Sequence, residues 1–172
     1  MQMRDIWLIS DTHFGHENIL NFTNHDGSPV REFNDVNHMN EVMVENWNRV
    51  VKDNDIVYHL GDVMFGDKEK FQRLWARLKG RKRLVVGNHD NIKYMVNGGF
   101  FGKISMWRTF KEFGLLLTHV PVDVNSIIRV GEGGKNVHGH LHGNPAPTDK
   151  HINVSVEQIN YTPVNIDSIR AW

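Results

Sequence analysis

Cysteine is absent from all 172 residues, and that absence removes disulfides, thiolate nucleophiles and sulfur-ligated zinc or iron–sulfur centres together. Any metal held by this chain must therefore sit on nitrogen and oxygen. A surplus of either charge is missing too. Lys+Arg and Asp+Glu number 20 each, a zero formal balance that argues against a protein devoted to non-specific binding of phosphate backbones. Long apolar runs are also lacking. The opening MQMRDIWLIS is too short in its apolar part for a secretory signal, and no later stretch approaches membrane length, so a soluble cytoplasmic protein without a membrane partner is expected. No Gly-, Pro- or Ser-rich linker divides the chain. With 40% hydrophobic residues, a single domain over residues 1–172 has enough apolar surface to fold without cross-links.

What the chain does have is histidine, 11 of them, and their positions carry the argument. The apolar runs DIWLIS (5–10), DIVYHL (55–60) and RLVV (83–86) read as buried strands. Between them, Val36, Met39, Val42, Met43, Trp47 and Val50 recur at the helical period behind Asp35, a residue suited to cap a helix. A second helix is expected from Asp67, with Phe71, Leu74, Trp75 and Leu78 on one face and Gly80 as its stop. Strand, helix, strand, helix, strand is the signature of an α/β layer architecture. The second half is less regular. KISMW (103–107) and GLLLT (114–118) predict an antiparallel hairpin around KEFG, and NVHG and HINVSVE (151–157) predict two further short strands.

Each strand is followed by side chains that bind metals or move protons. WLIS leads to Asp11-Thr12-His13, VYHL to Gly61-Asp62, LVV to Gly87-Asn88-His89-Asp90, LLLT to His119, and NV to His138-Gly139-His140. Ligand sites in open α/β sheets form beyond the carboxyl ends of the strands, so these groups should meet on one edge. Asp, His and Asn without sulfur suit divalent ions such as Mn, Fe, Zn, Ni or Co. Seven or eight such groups exceed what one ion needs. Two ions about 3.5–4 Å apart form the arrangement that clamps a phosphoryl group, with Asp62 as the natural bridge between them.

The ordered blocks DTH, GD, GNHD, TH and HGH, spanning residues 11 to 140, resemble the calcineurin-like metallophosphoesterases, whose signature runs D-x-H, G-D, G-N-H-D/E, H, G-H-x-H. ISDTHFGHENI and YHLGD further resemble a subgroup of small, capless bacterial and phage phosphoesterases. The resemblance implies a four-layer α/β/β/α sandwich of two mixed sheets flanked by helices. It implies that Asp11, His13, Asp62 and His140 hold one divalent ion, and that Asp62, Asn88, His119 and His138 hold the other, with manganese favoured. The implied reaction is hydrolysis of a small phosphodiester or, less favoured, a phosphomonoester. A hydroxide bridging the ions would attack phosphorus while His89 serves as general acid, a task suited to a group that titrates near neutral pH.

Other residues have plainer readings. His16 could reach a bound phosphate from the rim, and Arg31 is a candidate substrate contact or else a surface arginine. His59 reads as a satisfied core histidine and His142 as solvent-facing. KGRKR (79–83) resembles a nucleic-acid patch but falls where cations offset a helix C-terminus. Asp90 is expected to orient its loop. Phe65 stands where related phosphatases carry an aspartate that pairs with the catalytic histidine, which leaves open what orients His89. A nuclease is the alternative enzyme, although nucleic acid is not the favoured substrate because the chain has no room for a DNA-gripping domain. A non-catalytic scaffold is the weakest reading, since every ligand block is present.

Overall fold

A computed structural model describes residues 4–124, 130–131 and 133–172. Two mixed sheets form its frame. The first contains β1 (Ile6–Ile9), β2 (Ile56–His59), β3 (Arg81–Val85), β4 (Lys103–Ser105) and β9 (Val164–Asn165) in the order β4-β3-β2-β1-β9. The second contains β5 (Arg108–Phe110), β6 (Leu115–Leu117), β7 (Lys135–His138) and β8 (His151–Asn153) in the order β5-β6-β7-β8. The first four strands of the first sheet are parallel and β9 is antiparallel, whereas in the second sheet only the β5–β6 pair is antiparallel.

The strands read as continuous apolar runs because both faces of the first sheet are covered. Side chains alternate along a strand, so Leu8, Tyr58 and Val85 enter the core between the sheets, where they meet Leu115, Leu117, Val137 and Ile152. Ile9, Val57 and Leu84 point the other way, into a core shared with the helices. The helices are α1 (Val36–Val50), α2 (Lys68–Trp75) and α3 (Ile92–Asn97). The short α4 (Ile166–Ile169) instead seats Ile166 and Ile169 in the inter-sheet core. The outer face of the second sheet carries Leu116, packed with Val124 and Val130. Among the described residues, α1, α2 and α3 all pack on the outer face of the first sheet.

Helix α1 follows its sequence signals. The Asp35 side chain accepts from His38 N, capping the first turn, and Met39, Met43 and Trp47 are buried at the predicted spacing. Trp47 also donates its indole N–H to Lys79 O at 2.9 Å, which ties α1 to the connection leading into β3.

Several expectations need correction; HINVSVE, for one, is a strand only to Asn153, before a short 3-10 turn at Val156–Gln158. Helix α2 stops at Trp75 instead of Gly80, and β3 begins at Arg81, so most of the basic run lies in a strand. Lys82 Nζ instead donates to the carbonyls of Leu78 and Gly80, in the connection beyond the helix. KISMW is not one strand. Its first half, β4, adds to β3 in the first sheet, while β5 starts only at Arg108 and forms the hairpin with β6 in the second. Met106 and Trp107 are the crossing between sheets. Helix α3, strand β9 and helix α4 lacked a strong enough period to be read, being six, two and four residues long.

Candidate metal centre

Parallel strands deliver their following residues to the same edge, and the backbone there is laced together. Asp11 N donates to Gly61 O at 3.0 Å, His13 N to Asp62 O at 3.1 Å, and Gly139 N to His119 O at 2.8 Å. Close approach requires glycine at two points. A Cβ on Gly87 would collide with Asp62 Oδ1, and one on Gly139 would collide with Ser10 Oγ and Asp11 Oδ2. Asp90 does orient its loop, as expected. Its carboxylate accepts from Asp62 N at 3.0 Å, Val63 N at 3.0 Å and Gly87 N at 2.8 Å, clamping two site loops to each other.

Strain marks the same positions. Among the described residues, the non-glycine residues with positive φ include Asp11 (58°), His13 (47°), Asp62 (57°), His140 (67°) and His142 (51°). Left-handed backbone at non-glycine residues costs energy and persists where surrounding structure enforces it, commonly at functional sites.

The side chains converge in two clusters. Ligand atoms of Asp11, His13 and His142 lie within 4.8 Å of one another, and so do those of Asp62, His119 and His140. Asp62 joins them: its Oδ2 is 3.7 Å from His13 Nε2 and 3.4 Å from His119 Nε2. Asn88 belongs to the second group, its Oδ1 lying 2.8 Å from His119 Nε2 and 3.1 Å from His140 Nδ1.

This geometry moves the last block by one histidine. His140 stands with Asp62 and His119 instead of with Asp11, and His142 takes the place beside Asp11. His142 Nε2 is 3.8 Å from Asp11 Oδ1, so it does not face open solvent. His138 is brought into neither cluster. Val137 enters the inter-sheet core, so strand alternation puts His138 on the opposite face of β7, where its Nδ1 donates to Gly139 O at 2.8 Å and its ring lies 5.8 Å from His151. The spacing held the clue. Gly139-His140-Leu141-His142 satisfies G-H-x-H in full, whereas His138-Gly139-His140 requires glycine at the position of Val137.

Hydrogen bonds fix which nitrogens are free. His119 Nδ1 faces the Leu60 carbonyl at 2.7 Å and must donate to it, leaving Nε2 as a lone pair toward Asn88 and Asp62. His142 Nδ1 donates to Glu157 Oε1 at 3.0 Å, leaving Nε2 toward Asp11. A carboxylate behind a histidine in this way orients and enriches a metal ligand. Glu157 Oε1 also accepts from Arg31 Nε at 2.8 Å. Arg31 is 2% exposed, which overturns both the surface reading and the substrate contact. Its guanidinium donates to the carbonyls of Asp11 and Thr12 and braces the β1 loop from within. Neither Glu157 nor Ser155, whose hydroxyl donates to Asp11 Oδ2 at 3.1 Å, gave any sequence signal, because both lie far along the chain from the blocks they serve.

The residues fit a divalent ion on a test independent of motif. Asp11 Oδ1 and His13 Nε2 are buried yet lack any hydrogen-bond partner. Such orphaned groups are expensive unless something else satisfies them, and a cation does so. The charges agree. Burial alone would raise the Asp11 carboxyl, but His13, His142 and His119 outweigh it and hold the group below the usual carboxylate range. Burial likewise disfavours the His119 cation, yet Asp62 and Asp11 push that imidazole up to about 9, so protons compete with metal for it.

The remaining candidates flank the clusters. His16 Nδ1 lies 3.1 Å from His13 Nδ1, at the rim, and burial lowers it to about 4. His89 is exposed and its ring is 5.4 Å from Phe65, which also stacks on His13 and His16 at 5.0 and 4.2 Å. Phe65 therefore sets an aromatic ring, tilted at 57°, beside His89. His59 is satisfied in the core. Its Nδ1 accepts from Gly61 N at 3.1 Å and its Nε2 meets Thr12 Oγ1 at 2.8 Å, while burial lowers it to about 3.

Two mixed sheets with paired Asp/His clusters at their carboxyl edge define a metallophosphoesterase fold. The chain belongs to the calcineurin-like phosphoesterase family, whose model matches residues 4–169. It is 38% identical to the uncharacterized protein MJ1445 of Methanocaldococcus jannaschii, over 98% of this chain and 91% of that one. It is 27% identical to the gene 66 protein of Mycobacterium phage L5, over 87% and 83% of the two chains. Among solved structures, the protein of unknown function AQ665 from Aquifex aeolicus superposes with a TM-score of 0.74 at 31% identity, covering 98% of this chain and 99% of that one. No helix among the described residues is long and apolar enough to cross a membrane.

Proposed function

We propose that this chain hydrolyses phosphodiesters with two divalent ions, manganese the favoured pair. Asp11, His13, His142 and Asp62 would hold one ion, and Asp62, Asn88, His119 and His140 the other. The observation that carries this reading is the Asp62 carboxylate, one oxygen of which faces histidine nitrogens of both clusters. Bound there, the ions would supply Lewis acidity to the phosphoryl oxygens and lower the pKa of water.

The chain's own groups supply the rest. Asp90 holds the Asp62 and Asn88 loops in register, so the ligands need no rearrangement when substrate arrives. His89, exposed beside the clusters, protonates the ester oxygen as its bond to phosphorus breaks and water adds to phosphorus. Diester substrates are favoured because two depressions flank the clusters. One of about 480 Å³ opens beside His16 and Phe65, and another of about 400 Å³ opens beside Asn88 and His119. A diester has an organic group for each.

The test is hydrolysis of bis-p-nitrophenyl phosphate and p-nitrophenyl phosphate by chelated protein, with Mn²⁺ restored and His89→Ala alongside. Turnover should vanish with chelator, return with Mn²⁺, favour the diester, and fall by about 10²–10⁴ in His89→Ala while bound metal is unchanged. Metal loss in His89→Ala, or equal turnover by that variant, would remove the acid role. No turnover with any divalent ion would overturn the hydrolase reading for these esters.

A further inference from the structure

We infer that the depression beside Asn88 and His119 is a subsite for a flat aromatic group carried by the phosphoester, with Trp107 as its stacking platform. This rests on the hydrolase reading above and specifies the substrate that site would take.

The topology puts Trp107 there. Strand β4 is parallel to β3, so both end at the metal-centre edge, and Val86 N donates to Ser105 O at 2.9 Å beyond the last register pair. The chain must then cross to the second sheet, and Met106-Trp107 make the crossing at that edge. Across the gap, β6 ends at the same edge and leads through His119 to Val120. The result is a trough of about 400 Å³ walled by Val86, Met106, Trp107, Val120 and Val122, with Asn88 and His119 at one end.

Its chemistry selects the occupant. Met106 is 63% exposed, Trp107 53% and Val120 41%. Single exposed apolar residues are ordinary, but three that line one hollow contiguous with a reactive centre form a binding surface. Two of the polar atoms within the hollow are already engaged. The Thr118 hydroxyl donates to Val120 O, and Asn88 Oδ1 lies against His119 and His140. The walls therefore recognise through apolar contact and the indole face, which favours a planar ring over a sugar or a charged chain. By contrast, the depression on the His16 side mixes Asn37, Asn40 and Lys70 with Phe65, Phe71 and Leu74, a surface of both kinds suited to a different group.

The test separates this subsite from the reaction. Calorimetry on Mn²⁺-loaded protein should show p-nitrobenzylphosphonate binding about tenfold or more tighter than methylphosphonate. Trp107→Ala should abolish that preference while methylphosphonate affinity is unchanged, and Trp107→Phe should keep most of it. Equal affinities in the native protein, a preference that survives Trp107→Ala, or failure of either phosphonate to bind would overturn the subsite. Turnover is read in parallel on bis-p-nitrophenyl phosphate and methyl p-nitrophenyl phosphate, which share a leaving group. An aryl preference in binding without turnover would sink the hydrolase reading and leave the subsite standing, whereas turnover without aryl preference would sink the subsite alone.

Discussion

Asp11, His13 and the Arg31–Glu157 pair behind a half-buried His142 are withdrawn from solvent, while on the other side His119 is buried too but Asn88 and His140 stand exposed at the mouth. The two halves solve different problems. In the enclosed half, Asp11 Oδ1 and His13 Nε2 are buried without a hydrogen-bond partner, and an unmet buried polar group costs about 1–3 kcal/mol, so a cation there would offset a cost the protein otherwise bears. The open half pairs an asparagine amide with a histidine at the surface, where solvent reaches both and a substrate can approach. The apolar trough adjoins the open half, and the buried bracing adjoins the enclosed one. On the proposed function, one side of the centre would hold its ion and the other would receive substrate.

The largest disturbance of that contrast is loss of the shared residue. Asp62→Ala should lose both ions and reduce turnover to background, as read by metal analysis of dialysed protein beside the diester assay. The retention of two tightly held ions would show that the clusters do not depend on a shared carboxylate. Next in size is a pair of histidine variants. His142→Ala should lose one ion of the two, the one in the enclosed half, whereas His138→Ala should keep both with turnover nearly unchanged. Loss of metal from His138→Ala while His142→Ala kept its full complement would restore the arrangement implied by HGH and reject the geometry found here. Both substitutions need a check of folding by circular dichroism, since His138 is buried.

The histidine pair also shows where the sequence stopped being informative. The first three ligand blocks were legible because each follows a parallel strand whose apolar run is covered on both faces, so strand end and motif coincide. The last block was not fixed in register. Histidines occupy three alternate positions, 138, 140 and 142, and a period of two fits two neighbouring pairs equally well. Gly139 ahead of the second pair was the one local signal for it, and the burial of Val137 between the sheets, which depends on the second sheet being in place, decides which side of β7 faces the core. The division of KISMW failed for a related reason. Nothing local distinguishes the end of β4 from the start of β5, because the two strands are separated by which sheet they join. Arg31 and Glu157 were hidden by distance along the chain. A buried ion pair of partners 126 residues apart leaves no periodic trace.

That buried pair gives the smallest of the expected effects and the finest probe of the contrast. Glu157 accepts from both Arg31 and His142 through one oxygen, so Glu157→Gln keeps an acceptor of the same shape and removes the charge. With the carboxylate gone, the His142 Nδ1–H bond weakens and the ring is less firmly oriented toward Asp11. Second-sphere changes of this kind cost about 10–100-fold in metal affinity. The loss should fall chiefly on one ion, because Glu157 bonds His142 directly, whereas the open half meets the enclosed half only at one remove, through Asp62 and through His140 N donating to Asp11 Oδ2 at 2.8 Å. Stability should fall as well, since Arg31 is left without its counter-charge in a buried setting, where breaking a pair costs about 3–5 kcal/mol. Affinity must therefore be measured well below the unfolding temperature of the variant, with two-site titration of Mn²⁺ into metal-free protein. One weakened site and one unchanged site would confirm that the bracing serves the enclosed half. Equal weakening of both sites would mean that Glu157 acts through the fold as a whole, and the division of the centre into a held half and a receiving half would have to be given up.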